Sequence, residues 1–312
     1  MIKKIIATIL MSISAAAAIA VPFGSQSVLV VEDGTGKVLL EKNANQVVSI
    51  ASLTKLMTAM VVLDADQDMH ELIAIEQRDV DIVKHSTSRV PVGSRISRAD
   101  VLNLALMSSD NRAAASLART FEGGPVGFKA AVRAKIAALG MTNTIIEEPT
   151  GLSPNNKSNA QDLIKMAAAA ATYPQIAAMT TQSSDLININ GRNVEYRNTN
   201  RLVGAKGWEI GLSKTGYTDE AGKCLIMRIS AAGKHATLVL LNANASSARI
   251  MDALNIRRFI AGEEAPLARV VRQRAPRMMA RHGAPIIKAG LRTRVKATRA
   301  GKPAPQQRRR RA

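Results

Sequence analysis

The sequence predicts an α+β fold: an antiparallel sheet built from both ends of the chain body, covered by helices, with a helical lobe inserted between them. Three observations predict it. Gln26 to Asn45 is a pair of apolar runs around Asp33-Gly34-Thr35-Gly36, a hairpin signal. From Ser49 to Thr172 the apolar residues recur at helical spacing. Near residue 209 the period returns to that of strands, and hairpin-linked strands imply antiparallel pairing that helices must cover.

Leu53, Leu56, Met57, Met60 and Val61 mark one face of the first helix, with Ser52 in its first turn. Arg98 to Met107 and Arg112 to Phe121 read as two more helices separated by a polar break. Val126 to Leu139 is a fourth, ended by Gly140. A loop, Glu147-Glu148-Pro149-Thr150-Gly151-Leu152-Ser153-Pro154-Asn155-Asn156, precedes a helix from Ala160 to Thr172, stopped before Pro174. Glu209 to Thr218, Cys224 to Ser230 and His235 to Leu241 read as strands, the last two joined at Ala232-Gly233, and Ser246 to Ala261 as a closing helix. Residues 21–264 therefore form one structural unit in two lobes.

The 312-residue chain opens with Lys3 and Lys4 before a short apolar run that ends in Ala18-Ile19-Ala20. That pattern predicts a signal peptide over 1–20 and an exported body in the periplasm or cell envelope; the alternative is an uncleaved anchor. Cys224 is the single cysteine, so no internal disulfide forms, and its run reads as a buried strand. The net charge of +19 is uneven. Fifteen Lys or Arg and no Asp or Glu fall in 265–312, and two Lys in the leader, which leaves 21–264 with only +2. A nucleic-acid partner is thereby not indicated. The tail, cut by five prolines and closed by Arg308 to Arg311, predicts disorder. It is either an electrostatic tether to anionic envelope polymers or a membrane surface, or a solvated extension.

Ser52-Leu53-Thr54-Lys55 sets a hydroxyl and an amine three residues apart on one helical face. A serine needs a base within hydrogen-bond reach, and a lysine serves if burial and a second cation depress its pKa. Alone, the pattern favours the plainer reading of a helix-capping serine followed three residues on by a common lysine. Ser109-Asp110-Asn111 at the break between two helices, and Lys214-Thr215-Gly216 in a strand, change that balance. A Lys-Thr-Gly tripeptide arises by chance about once in several thousand positions. Here it stands in a strand and follows the other two in the order S-x-x-K, S-x-N, K-T-G.

With these motifs the chain resembles the low-molecular-mass penicillin-binding proteins, D-alanyl-D-alanine carboxypeptidases and endopeptidases of the bacterial wall, and among them the D,D-endopeptidase type. The resemblance runs from about Ser27 to Ala261 and includes LVVEDGTGKVLLEKNAN, ALGMTNT, EEPTGLSPNN and YRNTNRLVG. It implies a β-lactamase/DD-peptidase-like fold and hydrolysis of D-alanyl peptide bonds through an acyl-enzyme. Its partners would be peptidoglycan stem peptides and cross-links, with β-lactam antibiotics as acylating agents and no metal or other cofactor. By the same resemblance Ser52 is the nucleophile, Lys55 its base, and Ser109 a proton relay to the leaving amine. Asn111 would bind the acyl amide and steady Lys55. Lys214 and Thr215 would hold the substrate carboxylate, Gly216 would allow close approach, and the N–H groups of Ser52 and Tyr217 would form the oxyanion hole.

Other chemistries fit poorly. His70, His85, His235 and His282 are scattered, and no H-E-x-x-H, G-x-S-x-G or phosphate loop occurs. Tyr196 and Trp208 read as packing aromatics, and Asp110 as a local hydrogen-bonder. A serine β-lactamase shares the three motifs but needs a deacylating glutamate; Glu147 and Glu148 occupy the relevant stretch, followed by Pro-Thr-Gly-Leu. An inactive wall-binding module with a working tail is the remaining alternative.

Overall fold

The structure, a computed structural model, describes residues 23–263. The expected leader at 1–20 and the basic tail at 265–312 lie outside the described residues. In chain order, β1 (Ser25–Glu32), β2 (Val38–Lys42) and β3 (Val48–Ser49) lead through a 3-10 turn at Ala51–Leu53 into α1 (Thr54–Asp64). Then follow β4 (Leu72–Ala74), β5 (Arg95–Ser97), α2 (Arg98–Met107), α3 (Asn111–Arg119) and α4 (Gly124–Ala138). Next are β6 (Lys157–Ser158), α5 (Ala160–Ala170), α6 (Pro174–Thr181), β7 (Ser184–Ile189) and β8 (Arg192–Arg197). The chain closes with β9 (Glu209–Thr218), β10 (Gly222–Ala231), β11 (Lys234–Ala243) and α7 (Ser246–Ala261).

The main sheet has the order β2-β1-β11-β10-β9, antiparallel at every pairing. The two chain ends do meet in it: Ser25 is the register partner of Ala243, and Val30 of Leu238. Strand alternation sends successive side chains to opposite faces. Val28, Val30, Leu238 and Leu240 pack with Ala253, Ile256 and Ile260 of α7. Leu29, Val239, Leu241 and Ile226 instead join the larger core with α1, α2, α3 and α5. A one-residue slip would exchange the two sets, so burial on both faces fixes the register. Asp252 of α7 ties down the start of β1, accepting from the Gly24 N–H at 2.9 Å and from the Ser25 N–H and hydroxyl at 2.7 Å each.

Segment 174–208, where the sequence analysis placed no element, holds α6 and the β7–β8 hairpin. Pro174 stops one helix and starts the next, because a first-turn residue needs no N–H donor. The hairpin turns at Asn190-Gly191, both at positive φ, an Asn-Gly signal in the sequence. The expected helices at 98–107 and 246–261 have those bounds. Ser52 lies in the 3-10 turn before α1, one step earlier than expected.

Candidate active site

β9 forms the exposed edge of the sheet and packs against the Ala51–Leu53 turn, which brings Lys214-Thr215-Gly216 alongside Ser52. Gly216 permits this approach. A Cβ there would stand 3.0 Å from the Ile50 carbonyl oxygen and 3.1 Å from the Ser52 nitrogen. On the other side of Ser52 the backbone of Gly151 lies closer still: a Cβ would fall 1.9 Å from the Ala51 carbonyl oxygen, and φ is +86°. The Ala51–Ser52 backbone thus has two glycines against it, of which Gly151 admits no side chain and Gly216 only with a small shift of its neighbours. Ala51 and Ser109 themselves carry φ of +48° and +60°, a left-handed geometry that surrounding packing must sustain.

Ser52 is not a helix cap. The cap position is Leu53, no side chain caps α1, and the Thr54 hydroxyl bonds the Ala51 carbonyl. The Ser52 hydroxyl instead accepts from Lys55 Nζ at 2.9 Å. Lys55, 1% exposed, spends its two remaining donors on Asn111 Oδ1 and the Thr150 carbonyl, at 2.6 Å each. An ammonium has three donors and no acceptor, so the site is saturated. On losing a proton the amine keeps two donors and turns a lone pair to Ser52. Burial pulls its pKa from 10.5 down to about 8, against the opposing carboxylates of Glu148, Asp110 and Asp81. That displacement corresponds to about 3 kcal/mol. The sequence analysis had expected a second cation to contribute to it. The neighbours acting on Lys55 are anions, and the cation effect falls on Lys214.

Lys214, also 1% exposed, has one hydrogen bond, to the Thr215 carbonyl at 3.1 Å. Burial holds its pKa well below 10.5, and the charges of Lys55 and Arg249 lower it further. No carboxylate pairs with Lys214 among the described residues. Thr215 is fixed through its hydroxyl, 2.6 Å from that of Thr199. Tyr217 projects outward, 53% exposed, with its hydroxyl on Asp219 and Lys223 against its ring, so its side chain takes no part in this group.

Asp110 caps α3 through the Ala113 N–H and accepts from the Ser88 hydroxyl; it is a local hydrogen-bonder, as expected. Asn111, one step on, reaches Lys55 with its oxygen and the Ser86 hydroxyl with its amide nitrogen. Ser109, two residues before Asn111, makes no side-chain hydrogen bond to Ser52, Lys55 or Lys214, and it lines a cavity with Arg89 and Tyr196. Cys224 is buried, its thiol pushed up to about 11 by burial. His70, His85 and His235 are exposed.

Several contributors were not given these roles from sequence, where Glu148 was weighed only as a deacylating carboxylate. Glu148 accepts from the N–H groups of Thr150 and Gly151 at 2.7 Å each and from the Thr150 hydroxyl at 2.5 Å. Fully buried Asn156 joins Glu148 to the Thr54 hydroxyl. Together they shape the 147–156 loop so that the Thr150 carbonyl meets Lys55. Glu147 is exposed, Glu148 is spent on the N–H groups of its own loop, and neither bonds Ser52. Arg249 of α7 donates to the carbonyl of Cys224, the register partner of Gly216, while its buried Nε has no partner among the described residues. Its sequence signal was an arginine on the closing helix, indistinguishable there from a surface charge.

No helix among the described residues is long and apolar enough to cross a membrane. The family model for D-alanyl-D-alanine carboxypeptidase matches residues 13–245. A D-alanyl-D-alanine endopeptidase of Pseudomonas aeruginosa is 46% identical over 238 residues, covering 76% of this chain and 77% of the relative. Its counterpart in Escherichia coli is 43% identical with the same coverage. The crystal structure of a penicillin-binding protein from Listeria monocytogenes in its ampicillin-bound form superposes with a TM-score of 0.67 at 26% identity, covering 78% of this chain and 99% of that one. The chain therefore belongs to the D-alanyl-D-alanine carboxypeptidase family of serine peptidases, with the antiparallel sheet and inserted helical lobe of the penicillin-recognising fold.

Proposed function

We propose that the enzyme cleaves D-alanyl peptide bonds in peptidoglycan cross-links, as a D,D-endopeptidase, with Ser52 as nucleophile. The carrying observation is the contact between Ser52 and a buried lysine whose pKa lies near 8 and whose other donors are fixed by Asn111 and Thr150. At pH 7 about one Lys55 in ten is neutral. Ser52 Oγ bonds the scissile carbonyl carbon as its proton passes to Lys55. The Ser52 and Tyr217 N–H groups receive the oxyanion, a role supported by the approach that Gly216 allows. The C–N bond breaks, the amine leaves with a proton relayed through Ser109, and water hydrolyses the ester to regenerate Ser52.

Lys214, Thr215 and Arg249 form the carboxylate end of the site. An incoming carboxylate supplies the counter-charge that Lys214 lacks, so binding raises its pKa. The endopeptidase preference is supported by the two relatives named above. The test is digestion of purified cross-linked peptidoglycan. Loss of dimeric muropeptides supports the reading, and release of terminal D-alanine with dimers intact assigns a carboxypeptidase. Fluorescent penicillin should label the wild-type chain and not the Ser52→Ala protein; labelling of the variant would overturn the nucleophile assignment.

We further infer the domain plan and location: a cleaved signal peptide at 1–20, a catalytic body at 21–264 in the periplasm or cell envelope, and a tail at 265–312 that tethers it to anionic polymers or lipid head groups. The apolar leader ending in Ala-Ile-Ala and the concentration of positive charge support this. Unchanged wall retention at low salt after deletion of 265–312 would remove the tether.

A further inference from the structure

A cavity of about 510 Å³ is lined by Thr87 and Arg89, by Ser109 and Asp110 at the junction of α2 and α3, and by Glu195, Tyr196 and Arg197 of β8. Both flanking segments run directly into the site. Ser109 is two residues from Asn111, which holds Lys55. Arg197 is two residues from Thr199, whose hydroxyl meets that of Thr215. A peptide extending from Ser52 past Ser109 would enter this cavity.

Its charges are unequally used. Asp110 is consumed by the Ala113 N–H at 2.9 Å and the Ser88 hydroxyl at 2.7 Å. Arg197 and Glu195 pair with each other at 3.2 Å. Arg89 has no carboxylate partner among the described residues. Arg89 is exposed, and its guanidinium lies 4.2 Å from the centroid of the Tyr196 ring, a contact that leaves its N–H groups available. Tyr196 is 1% exposed and its buried hydroxyl also lacks a partner among the described residues. An unpaired guanidinium lining the same cavity as the hydroxyl-bearing Thr87 and Ser109 offers donors that suit a carboxylate. The volume suits a side branch of a peptide more than a small free anion.

We propose that this cavity is a specificity subsite for a carboxylate-bearing branch of the peptide substrate, with Arg89 as its recognition group. The inference rests on the D,D-peptidase reading. It is tested with two synthetic peptides ending in D-Ala-D-Ala, identical except that the side-chain amine of the preceding L-lysyl residue carries an acetyl or a succinyl group. With the full chain, kcat/KM should be about tenfold higher for the succinyl peptide, the effect of one charge-assisted bidentate contact. In Arg89→Gln and Arg89→Ala the ratio should fall toward one; the acetyl peptide is the internal reference, so general damage to catalysis cancels. Equal rates in the wild type, or an undiminished ratio in both variants, would overturn the subsite. Calorimetric binding of both peptides to the Ser52→Ala protein separates the two claims. Tighter binding of the succinyl peptide with no hydrolysis by the wild type keeps the subsite and sinks the peptidase reading. Hydrolysis without preference does the reverse, and equal binding without hydrolysis removes both.

Discussion

The two sides of the site bury a lysine each, and the two lysines are treated differently. On the helical side, Lys55 has all three donors paired and carboxylates nearby that restrain its loss of a proton. On the strand side, Lys214 has one weak partner and faces only cations. The helical side is complete without substrate, as proton transfer on demand requires. The strand side has no carboxylate partner among the described residues, and a bound anion would supply one. Binding selectivity and base strength are thus placed in different lobes, on different elements.

The largest expected effect breaks the comparison at its hinge. Gly151→Ala drives a Cβ into the Ala51–Ser52 peptide, and either that peptide or the whole 147–156 loop must move. Penicillin acylation should fall by at least about a hundredfold, since a displacement of about 1 Å has that cost. Second-order labelling rates measure it; a near-normal rate would show that the loop does not set the nucleophile.

Removing each lysine should separate the sides. Lys55→Met should lower acylation by roughly a thousandfold, the scale of lost general-base catalysis. Lys214→Met should mainly raise KM for carboxylate-ended peptides. It should also raise the unfolding midpoint at pH 6, by about 1 kcal/mol of stability, because an unpaired buried cation disappears. Lys214 has a folded pKa below its unfolded one, so its penalty is full at low pH and fades as pH approaches 10.5. The stability gain should shrink over the same range, and a gain that persists unchanged at pH 10 would contradict it.

The base strength of Lys55 predicts a pH profile. Because the neutral amine is the reactive form, kcat/KM for acylation should rise tenfold per unit below about pH 8 and level above it. Glu148→Gln removes the largest of the opposing charges and should move that limb to lower pH, which a purely structural role for Glu148 would not do. The smallest effect is Thr199→Val: loss of one hydroxyl contact to Thr215 should cost about 1 kcal/mol in binding of carboxylate-ended peptides, with penicillin labelling measured in parallel.

Most strands and helices are legible because their periodicity is local. Leu53, Leu56, Met57 and Met60 mark a helix whatever they pack against, and Asp33-Gly34 marks a turn. Short pairings such as β3 with β6 are not legible. Two-residue strands carry no period, and their partners lie more than 100 residues apart. The β7–β8 hairpin was legible at Asn190-Gly191 but was masked by its mixed polar pattern.

By itself the sequence determined the three motifs, their order, the family they resemble and the lobed plan, because each is written in adjacent residues. The tertiary structure alone decided which lysine is satisfied and which is exposed to like charge. It also decided that Glu148 is spent on its own loop, that the charge of Arg249 acts on Lys214, and that Arg89 lines a cavity. Charge state, hydrogen-bond saturation and cavity shape depend on groups far apart in the chain converging within a few ångströms, and no local pattern encodes that convergence.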